Sequence, residues 1–289
     1  MMQFESLVPG ALYLVATPIG HLGELSPRAV SVLKHVDYVL CEDTRHSRRL
    51  FNEYGLKVRM KSLHRHNEMH QLKGVIEGLS QGQTYALISD AGMPLISDPG
   101  HALVQACYDQ GCQVIPISGA CSVISAVAAS GLCVNGFSFI GFLPSKQGAR
   151  RTLLREFSDH PRAWVFFEAP HRMKAMVEDL MDIMPASHRV AVAHELTKRH
   201  ESVVLCTLEA LSLQIESGAF QRGEHVIVIE GCPVVEAQLT SSMLVVIQAM
   251  CARLRTSEIV DWVHALTQVP KNKLYECVVN VRKAQDESS

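Results

Sequence analysis

The chain has 289 residues, 47% of them hydrophobic, with a formal net charge of −2 at pH 7 and a pI near 6.7. That length suits two domains or a little more, and that composition supplies a globular core. The charge excludes a globally basic nucleic-acid coat while leaving room for a local basic face.

The first apolar run, Leu12–Ala16, predicts a buried strand. It is followed by a loop containing Thr17, Pro18, Gly20, His21 and Gly23, and then by a helix with Ser26 as cap and Pro27 in its first turn. Glycines in such a loop let backbone approach a ligand closely. No two glycines are two residues apart and no GxxxxGK[ST] occurs, so neither a dinucleotide fingerprint nor a P-loop is present. Tyr38–Glu42 predicts the second strand. Asp43, Thr44, Arg45, His46, Ser47, Arg48 and Arg49 then open a helix that ends at Gly55. Glu42, Asp43 and Arg45 are expected to form a polar site at the strand end. Arg48 and Arg49 suit either a binding face or a solvated one. The segment 57–70 adds Lys57, Arg59, Lys61 and Arg65, together with His64, His66 and His70 in a spacing that matches no zinc motif.

A helix is expected over about 68–79, and then the stretch around which the chain is organised, SDAGMPLISDPG at 89–100. It follows the short apolar run Tyr85–Ser89, which reads as a buried parallel strand. Asp98 and Pro99 are expected to cap and open the next helix. A loop with two acids, two prolines and two glycines at the carboxyl end of a parallel strand is the usual ligand position in an open α/β sheet. Val114–Ile117 predicts another strand. Ser118–Ser122 then turns into a helix of small residues closed by Gly131, whose start suits a carboxylate or another acceptor group.

After Gly136 the pattern changes. A less regular strand, 137–142, leads into a basic loop with Lys146, Arg150 and Arg151. A helix, the strand Ala163–Glu168, the turn Ala169–Arg172 and a helix to Met184 follow. Strands are expected at 189–195, 201–207 and 224–231. Two of them lie too close for a helix between, which implies a mixed sheet. The expected division is 1–134 for a parallel-sheet N-terminal α/β domain, 135–233 for a mixed-sheet C-terminal α/β domain, and 239–289 for a helical extension with helices near 239–253, 256–266 and 271–284. The nine cysteines are scattered without a CxxC pair, which fits reduced thiols in a cytosol. The longest apolar run, 123–134, is too short to span a bilayer, and no signal peptide is evident.

The motifs LYLVATPIGHLGELSPRA (12–29), CEDTRHSRRL (41–50), SDAGMPLISDPG (89–100), FFEAPHR (166–172), HELTKRHE (194–201), GEHVIVIEG (223–231) and KNKLYECVV (271–279) resemble, in order and over nearly the whole chain, the ribosomal RNA small subunit methyltransferase I family of the tetrapyrrole methylase superfamily. The resemblance implies a two-domain enzyme that binds S-adenosyl-L-methionine in the cleft between domains. It implies methylation of the ribose 2′-hydroxyl of a cytidine in the decoding region of small-subunit ribosomal RNA, either naked or in the assembled subunit. It also implies a homodimer. Carried onto this sequence, it places the cofactor at Pro18, Gly20, Asp90, Ala91, Met93, Cys121, Ser122, Glu168, Leu196, Gly223 and Glu224. The sequence departs from the family pattern at His21, Met93, 118–122, Ala169 and His194.

A ribose hydroxyl is a poor nucleophile, so a base or a charge that stabilises the alkoxide should help. The candidates are Glu42, Asp43, Arg45, His171 and Arg172, with Asp98 and Glu168 beside them. The phosphates of the substrate call for cations, and Arg45, Arg48, Arg49, Lys146, Arg150 and Arg151 are expected to supply them. Three other readings remain at this level. One is a methyltransferase of the same fold acting on a tetrapyrrole or another acceptor, since fold does not fix function. The second is a non-catalytic RNA-binding assembly protein. The third is a nucleotide-binding α/β enzyme such as a dehydrogenase, disfavoured by the absent glycine fingerprint.

Overall fold

The computed structural model describes residues 6–133, 135–232, 239–267 and 269–286. Compactness divides the chain into Met1–Cys232 and Pro233–Ser289. The first unit holds two five-stranded sheets.

The first sheet is built from β1 (Leu12–Val15), β2 (Tyr38–Cys41), β3 (Met60–Ser62), β4 (Tyr85–Leu87) and β5 (Val114–Ile117), in the order β3-β2-β4-β1-β5 and wholly parallel. Its connections are helices α1 (Pro27–His35), α2 (Thr44–Glu53), α3 (Glu68–Ser80) and α4 (His101–Asp109). Helices cover both faces, so the central strands are apolar throughout instead of alternating. In β1, Tyr13 and Val15 join one core with Leu33, Phe51 and Ile88, while Leu12 and Leu14 join the other with Leu79, Leu87 and Leu103. Each such side chain, fully buried, contributes about 1.5–3 kcal/mol. Ser26 caps α1 by accepting from the Ala29 N–H at 3.1 Å, with Pro27 in the first turn, as its sequence foretells.

Two elements of this half differ from expectation. The strand β3 lies inside the basic segment 57–70. It is a three-residue edge strand of half-buried residues, too short and too polar to show as an apolar run. The cap of α4 is the other. The helix begins at His101 behind Gly100, whose φ of 121° turns the chain away from Asp98 and Pro99. The Glu68 carboxylate, brought in by α3, accepts from the Ala102 and Leu103 N–H groups at 2.9 and 3.3 Å. Asp98 is therefore released from capping.

The second sheet contains β6 (Phe137–Phe142), β7 (Ala163–Glu168), β8 (Arg189–His194), β9 (Ser202–Thr207) and β10 (His225–Ile229) in the order β6-β7-β10-β8-β9. It is mixed: β6 and β7 are parallel, and the other pairs are antiparallel. Helix α5 (Ser122–Ser130) follows the first sheet in sequence, yet Val123 and Ala126 pack with Val165, Ala191 and Val226 of the second. Helices α6 (Gln147–Phe157), α7 (Met173–Met181) and α8 (Leu208–Glu216) cover the opposite face around Trp164, Phe166 and Ile227. The sequence reading had no helix at α8, which buries only Leu208 and Leu211 behind a Thr207 cap. The chain passes from one sheet to the other across residues 133–136, of which Val134 lies outside the described residues.

The second unit contains helices α9 (Ser241–Cys251), α10 (Thr256–Thr267) and α11 (Lys271–Asp286), close to the expected ranges. Ile247, Ile259, Val263, Leu274 and Val278 form its own small core. Residues 233–238, at the boundary between the last two expected divisions, lie outside the described residues. Among the described residues no helix is long and apolar enough to cross a membrane.

Candidate active site

Parallel strands end together, and their following loops meet at one sheet edge. In the first sheet this gathers the loops after β1 and β4 and the start of α5. In the second sheet the ends of β6, β7 and β8 meet the beginning of β10, which runs antiparallel to β7 and β8. The two edges face each other across a cleft of about 420 Å³. One wall carries Ile19, the run Asp90–Met93, Ile96–Asp98, Cys121 and Ser122. The other carries Phe142, Phe167–Pro170, Ala193, Leu196 and Gly223–Val226.

The loops are held in unusual conformations by specific bonds. Thr17 and Gly92 exchange backbone hydrogen bonds of 2.9 and 3.0 Å, and the Thr17 hydroxyl donates to the Ser89 carbonyl at 3.1 Å. Leu95 and Ser97 sit at φ 73° and 75°, and Glu195 and Thr197 at 47° and 64°. Such strain clusters where the surrounding structure over-determines the backbone, as in ligand clamps. Across the cleft the His21 N–H donates to the Thr197 hydroxyl at 3.0 Å. A Cβ on Gly20 would lie 2.5 Å from Lys198 Cγ and 2.6 Å from Thr197 Oγ1, so only glycine admits this approach. Lys198 bonds Glu195 at 2.9 Å and Glu224 at 3.1 Å, and its hydrogen bond holds the Glu195 carboxyl below the usual range.

Three titratable groups on the walls are perturbed. Burial, reinforced by the negative charge of Glu42, pushes the Asp98 carboxyl up to about 6. Burial also raises Glu168, against the Ala169 N–H at 2.8 Å and the Arg172 guanidinium at 3.0 Å. That last contact is an ion pair of poor direction, because Arg172 Nε makes no aligned hydrogen bond while its Nη2 donates to the Leu143 and Pro144 carbonyls. The second carboxylate oxygen of Glu168 is buried without a partner. His225 is 2% exposed, and burial, with the neighbouring His194, lowers its imidazole to about 4.

Nine of the eleven expected cofactor residues line the cleft: Asp90, Ala91, Met93, Cys121, Ser122, Glu168, Leu196, Gly223 and Glu224. Pro18 and Gly20 flank Ile19, which does. The expected catalytic set is dispersed. Glu42 is near enough to Asp98 to raise it but is not on the wall. Asp43 is the cap of α2, accepting from the Arg45 N–H at 2.7 Å, and the exposed Arg45 side chain folds back onto it. His171 and Arg172 lie in the 3-10 turn after β7, where Arg172 braces Glu168 and the 143–144 backbone.

Of the expected phosphate cations, Arg48, Arg49 and Lys146 are exposed. Arg150, another of the expected phosphate cations, is placed differently. It is 4% exposed and bonds Asp179 of α7 through Nε at 2.7 Å and Nη2 at 2.6 Å. Arg151 is also engaged, by Asp179 at 2.6 Å and by Asp182. The sequence reading missed His225, Phe142 and Phe167 on the walls. A polar residue opening the apolar run HVIVI was the one available signal for His225. Among the described residues no three His, Cys, Asp or Glu side chains converge on a metal-sized site.

Comparison with known proteins agrees with this architecture. Residues 11–212 match the family model for Tetrapyrrole (Corrin/Porphyrin) Methylases. A relative from Pseudomonas aeruginosa, named Ribosomal RNA small subunit methyltransferase I, is 40% identical over 270 residues, covering 92% of this chain and 96% of its own. The protein of the same name from Escherichia coli O157:H7 is 37% identical over 268 residues, covering 92% and 94%. Among solved structures, a uroporphyrin-III-C-methyltransferase from Thermus thermophilus superposes with TM-score 0.54 at 19% identity, over 76% of this chain and 94% of its own. The methyltransferase CobJ does so with 0.58 at 15%, over 77% and 94%. At those identities the likeness is one of fold.

Proposed function

The chain belongs to the tetrapyrrole methylase family and, within it, to the ribosomal RNA small subunit methyltransferase I family, and from that premise we propose that it transfers a methyl group from S-adenosyl-L-methionine to the ribose 2′-hydroxyl of a cytidine in the decoding region of small-subunit ribosomal RNA. The observation that carries this reading is the cleft, where nine residues expected at the cofactor line one cavity. Its chemistry fits such a ligand. Apolar and aromatic walls, Ile19, Phe142, Phe167 and Val226, suit a flat ring. The N-terminus of α5, uncapped by any side chain, suits the carboxylate end.

When bound, the cofactor supplies an electrophilic methyl group on a sulfonium. The chain's own task is to align the acceptor oxygen with it and to exclude water. Asp98 is the best-placed proton acceptor. It lies on the cleft wall, and its elevated pKa brings it near the operating pH, as general-base catalysis requires. Glu42 acts through Asp98 by holding that pKa up. Arg48 and Arg49 on the exposed face of α2, with Lys146, supply the phosphate contacts. Arg150 and Arg151 hold α6 to α7 instead. The protein works as a homodimer in the cytoplasm.

The test is mass spectrometry of small-subunit RNA from a strain lacking the gene, with the purified protein then added to naked RNA and to assembled subunits. Loss of one ribose methyl at a decoding-region cytidine, restored by the wild-type chain, is the expected result. An unchanged methylation map would overturn the assignment.

A further inference from the structure

Two large apolar side chains stand exposed on opposite walls of the cleft. Ile96, on the first-sheet wall, is 37% exposed, and Phe142, on the second-sheet wall, is 57% exposed. By contrast, Ile19 and Val226 line the cleft as buried residues. The two walls come together beside the exposed pair, where a Cβ on Gly141 would lie 3.2 Å from Ser97 Oγ. In the register of β6 and β7, Phe142 lies beside Phe167, and the two ring centroids are 5.4 Å apart, so Phe142 is on the face of the sheet that walls the cleft.

Both side chains are held in place by fixed backbone. Ile96 sits between Leu95 and Ser97, at φ 73° and 75°, a left-handed conformation that costs energy in a residue other than glycine. This turn is fastened on each side. His101 Nε2 bonds the Leu95 carbonyl at 3.2 Å, and Arg65 Nη2 donates to the Ser97 carbonyl at 3.1 Å. Phe142 follows Gly141, at φ 77°, and precedes the Leu143 and Pro144 carbonyls, which accept from Arg172 Nη2 at 2.6 and 3.1 Å. A fold that fixes two apolar side chains against water forgoes the gain of burying them. It does so here at an open cleft, where a ligand can cover both. Charge narrows the choice of ligand. Arg65 is exposed beside Ser97, and Lys146 is exposed in the turn that follows Phe142, so each wall also carries a cation. An aromatic face and an aliphatic face flanked by cations suit an unstacked nucleobase with a phosphate on either side.

We propose that Phe142 and Ile96 form a clamp for the base of the target nucleotide, Phe142 stacking on one face of the ring and Ile96 covering the other. The inference rests on the reading of this cleft as the site of methyl transfer to RNA and adds the side chains that hold the acceptor. A cleft of about 420 Å³ has no room for a stacked strand, so the target nucleotide enters singly and leaves its neighbours behind. The clamp gives the base a new stacking partner. Asp98 lines the same wall as Ile96, so a clamped base brings its own ribose toward the proton acceptor. Stacking does not depend on the hydrogen-bonding edge of the base, so the clamp positions the nucleotide without reading its identity.

The experiment uses small-subunit RNA ligated to carry either a cytidine or an abasic ribose at the target, both naked and in reconstituted subunits, and follows methyl transfer to that ribose. On the cytidine RNA, Phe142→Ala should lower kcat/KM by a factor on the order of 10–100, the scale of one base–aromatic stack. Phe142→Leu, apolar but not aromatic, should recover little of the rate, and Phe142→Tyr should recover most of it. Ile96→Ala should cost a smaller factor, about 3–10. On the abasic RNA, wild type should fall to the level of Phe142→Ala on the cytidine RNA. The alanine variant should lose at most about threefold more there, because base and ring are removed as one interaction. Calorimetric affinity for S-adenosylhomocysteine and the mass by light scattering should stay at wild-type values in every variant. A merely structural role would lower transfer to both RNAs by the same factor, and that result overturns the proposal, as does undiminished transfer to the abasic ribose by wild type. Weakened S-adenosylhomocysteine binding would overturn it by assigning the ring to the cofactor, and a fall in mass by assigning it to a contact between copies. Should the alanine variant not fold, the contrast of leucine with tyrosine decides, because equal rates in the two are equally fatal. Absence of transfer by wild type to the cytidine RNA in either form is a different failure, which overturns the reading of the cleft as a site of RNA methylation.

Discussion

Replacing Arg150 separates two roles that the basic run 146–151 allows. The Asp179 carboxylate has no exposed surface, and Arg150 only 5%, so their contact is screened by protein on every side. Burial by itself would raise Asp179, but hydrogen bonds from Arg151, Gln147 and Arg150 outweigh it and hold the carboxyl below the ordinary range. Removing one partner of a buried pair costs about 3–5 kcal/mol, because a desolvated charge is left uncompensated. Arg151 at 2.6 Å and Gln147 at 3.0 Å remain on the other oxygen of Asp179, which places Arg150→Met toward or below the lower end, about 2–3 kcal/mol. Against a typical total of about 5–15 kcal/mol that is a large loss. Urea unfolding followed by the fluorescence of Trp164, buried in the core beside α6 and α7, would read it. The folded pKa of Asp179 is depressed, so the pair's contribution is present above the unfolded carboxylate pKa and is lost as pH falls through the folded one. The gap between wild type and variant should therefore narrow in acid. A variant within about 0.5 kcal/mol of wild type, whose RNA affinity loses about one unit of salt slope, would refute this reasoning and return Arg150 to the phosphate surface.

Asp98→Asn should abolish transfer, and the wild-type rate should rise with pH through about 6 as the base loses its proton. The same variant should be more stable than wild type at pH 7.5. The folded carboxyl at about 6 lies above the ordinary 3.8, so stability falls as pH rises between those values, by up to about 3 kcal/mol, and the difference between the proteins should vanish below pH ~4. Replacing both Arg48 and Arg49 with alanine should reduce the salt slope of RNA binding by up to about two units and leave calorimetric S-adenosylmethionine affinity unchanged; an unaltered slope would make them a solvated helix face. Light scattering at micromolar protein should return twice the 31.9 kDa chain mass, and the single-chain mass would rule out the dimer.

What was legible in the sequence was whatever local pattern decides. The strands β1, β2, β4 and β5 are buried on both faces and read as apolar runs, and Ser26-Pro27 marks a helix start with bonds made within three residues. What was not legible depends on distant partners. Asp98-Pro99-Gly100 has the composition of a cap, but the carboxylate that caps α4 comes from Glu68, 34 residues before Ala102. Arg150 looks like its exposed neighbour Lys146 until α7 brings Asp179 against it from 29 residues away. The loops of the cleft were found because glycine, proline and acid cluster at strand ends. The perturbation of Asp98 and the orphaned atoms of His225 are products of burial, which a single sequence does not display.

The position of β10 sets an order on how the chain can be assembled as it is synthesised. It is the last strand made in its sheet, yet it lies in the middle, joining β7 to β8 along five residue pairs on each side. Until residues 225–229 emerge, the β6–β7 pair and the β8–β9 hairpin each expose an unpaired edge, the kind of surface that recruits other strands. A nascent chain ending before His225 thus carries the whole first sheet but two open edges in the second. The parts of the second wall that bear Glu168 and Leu196 are brought into register only by that final strand. Completion of the cleft and removal of the aggregation hazard are therefore a single late event in the life of each molecule.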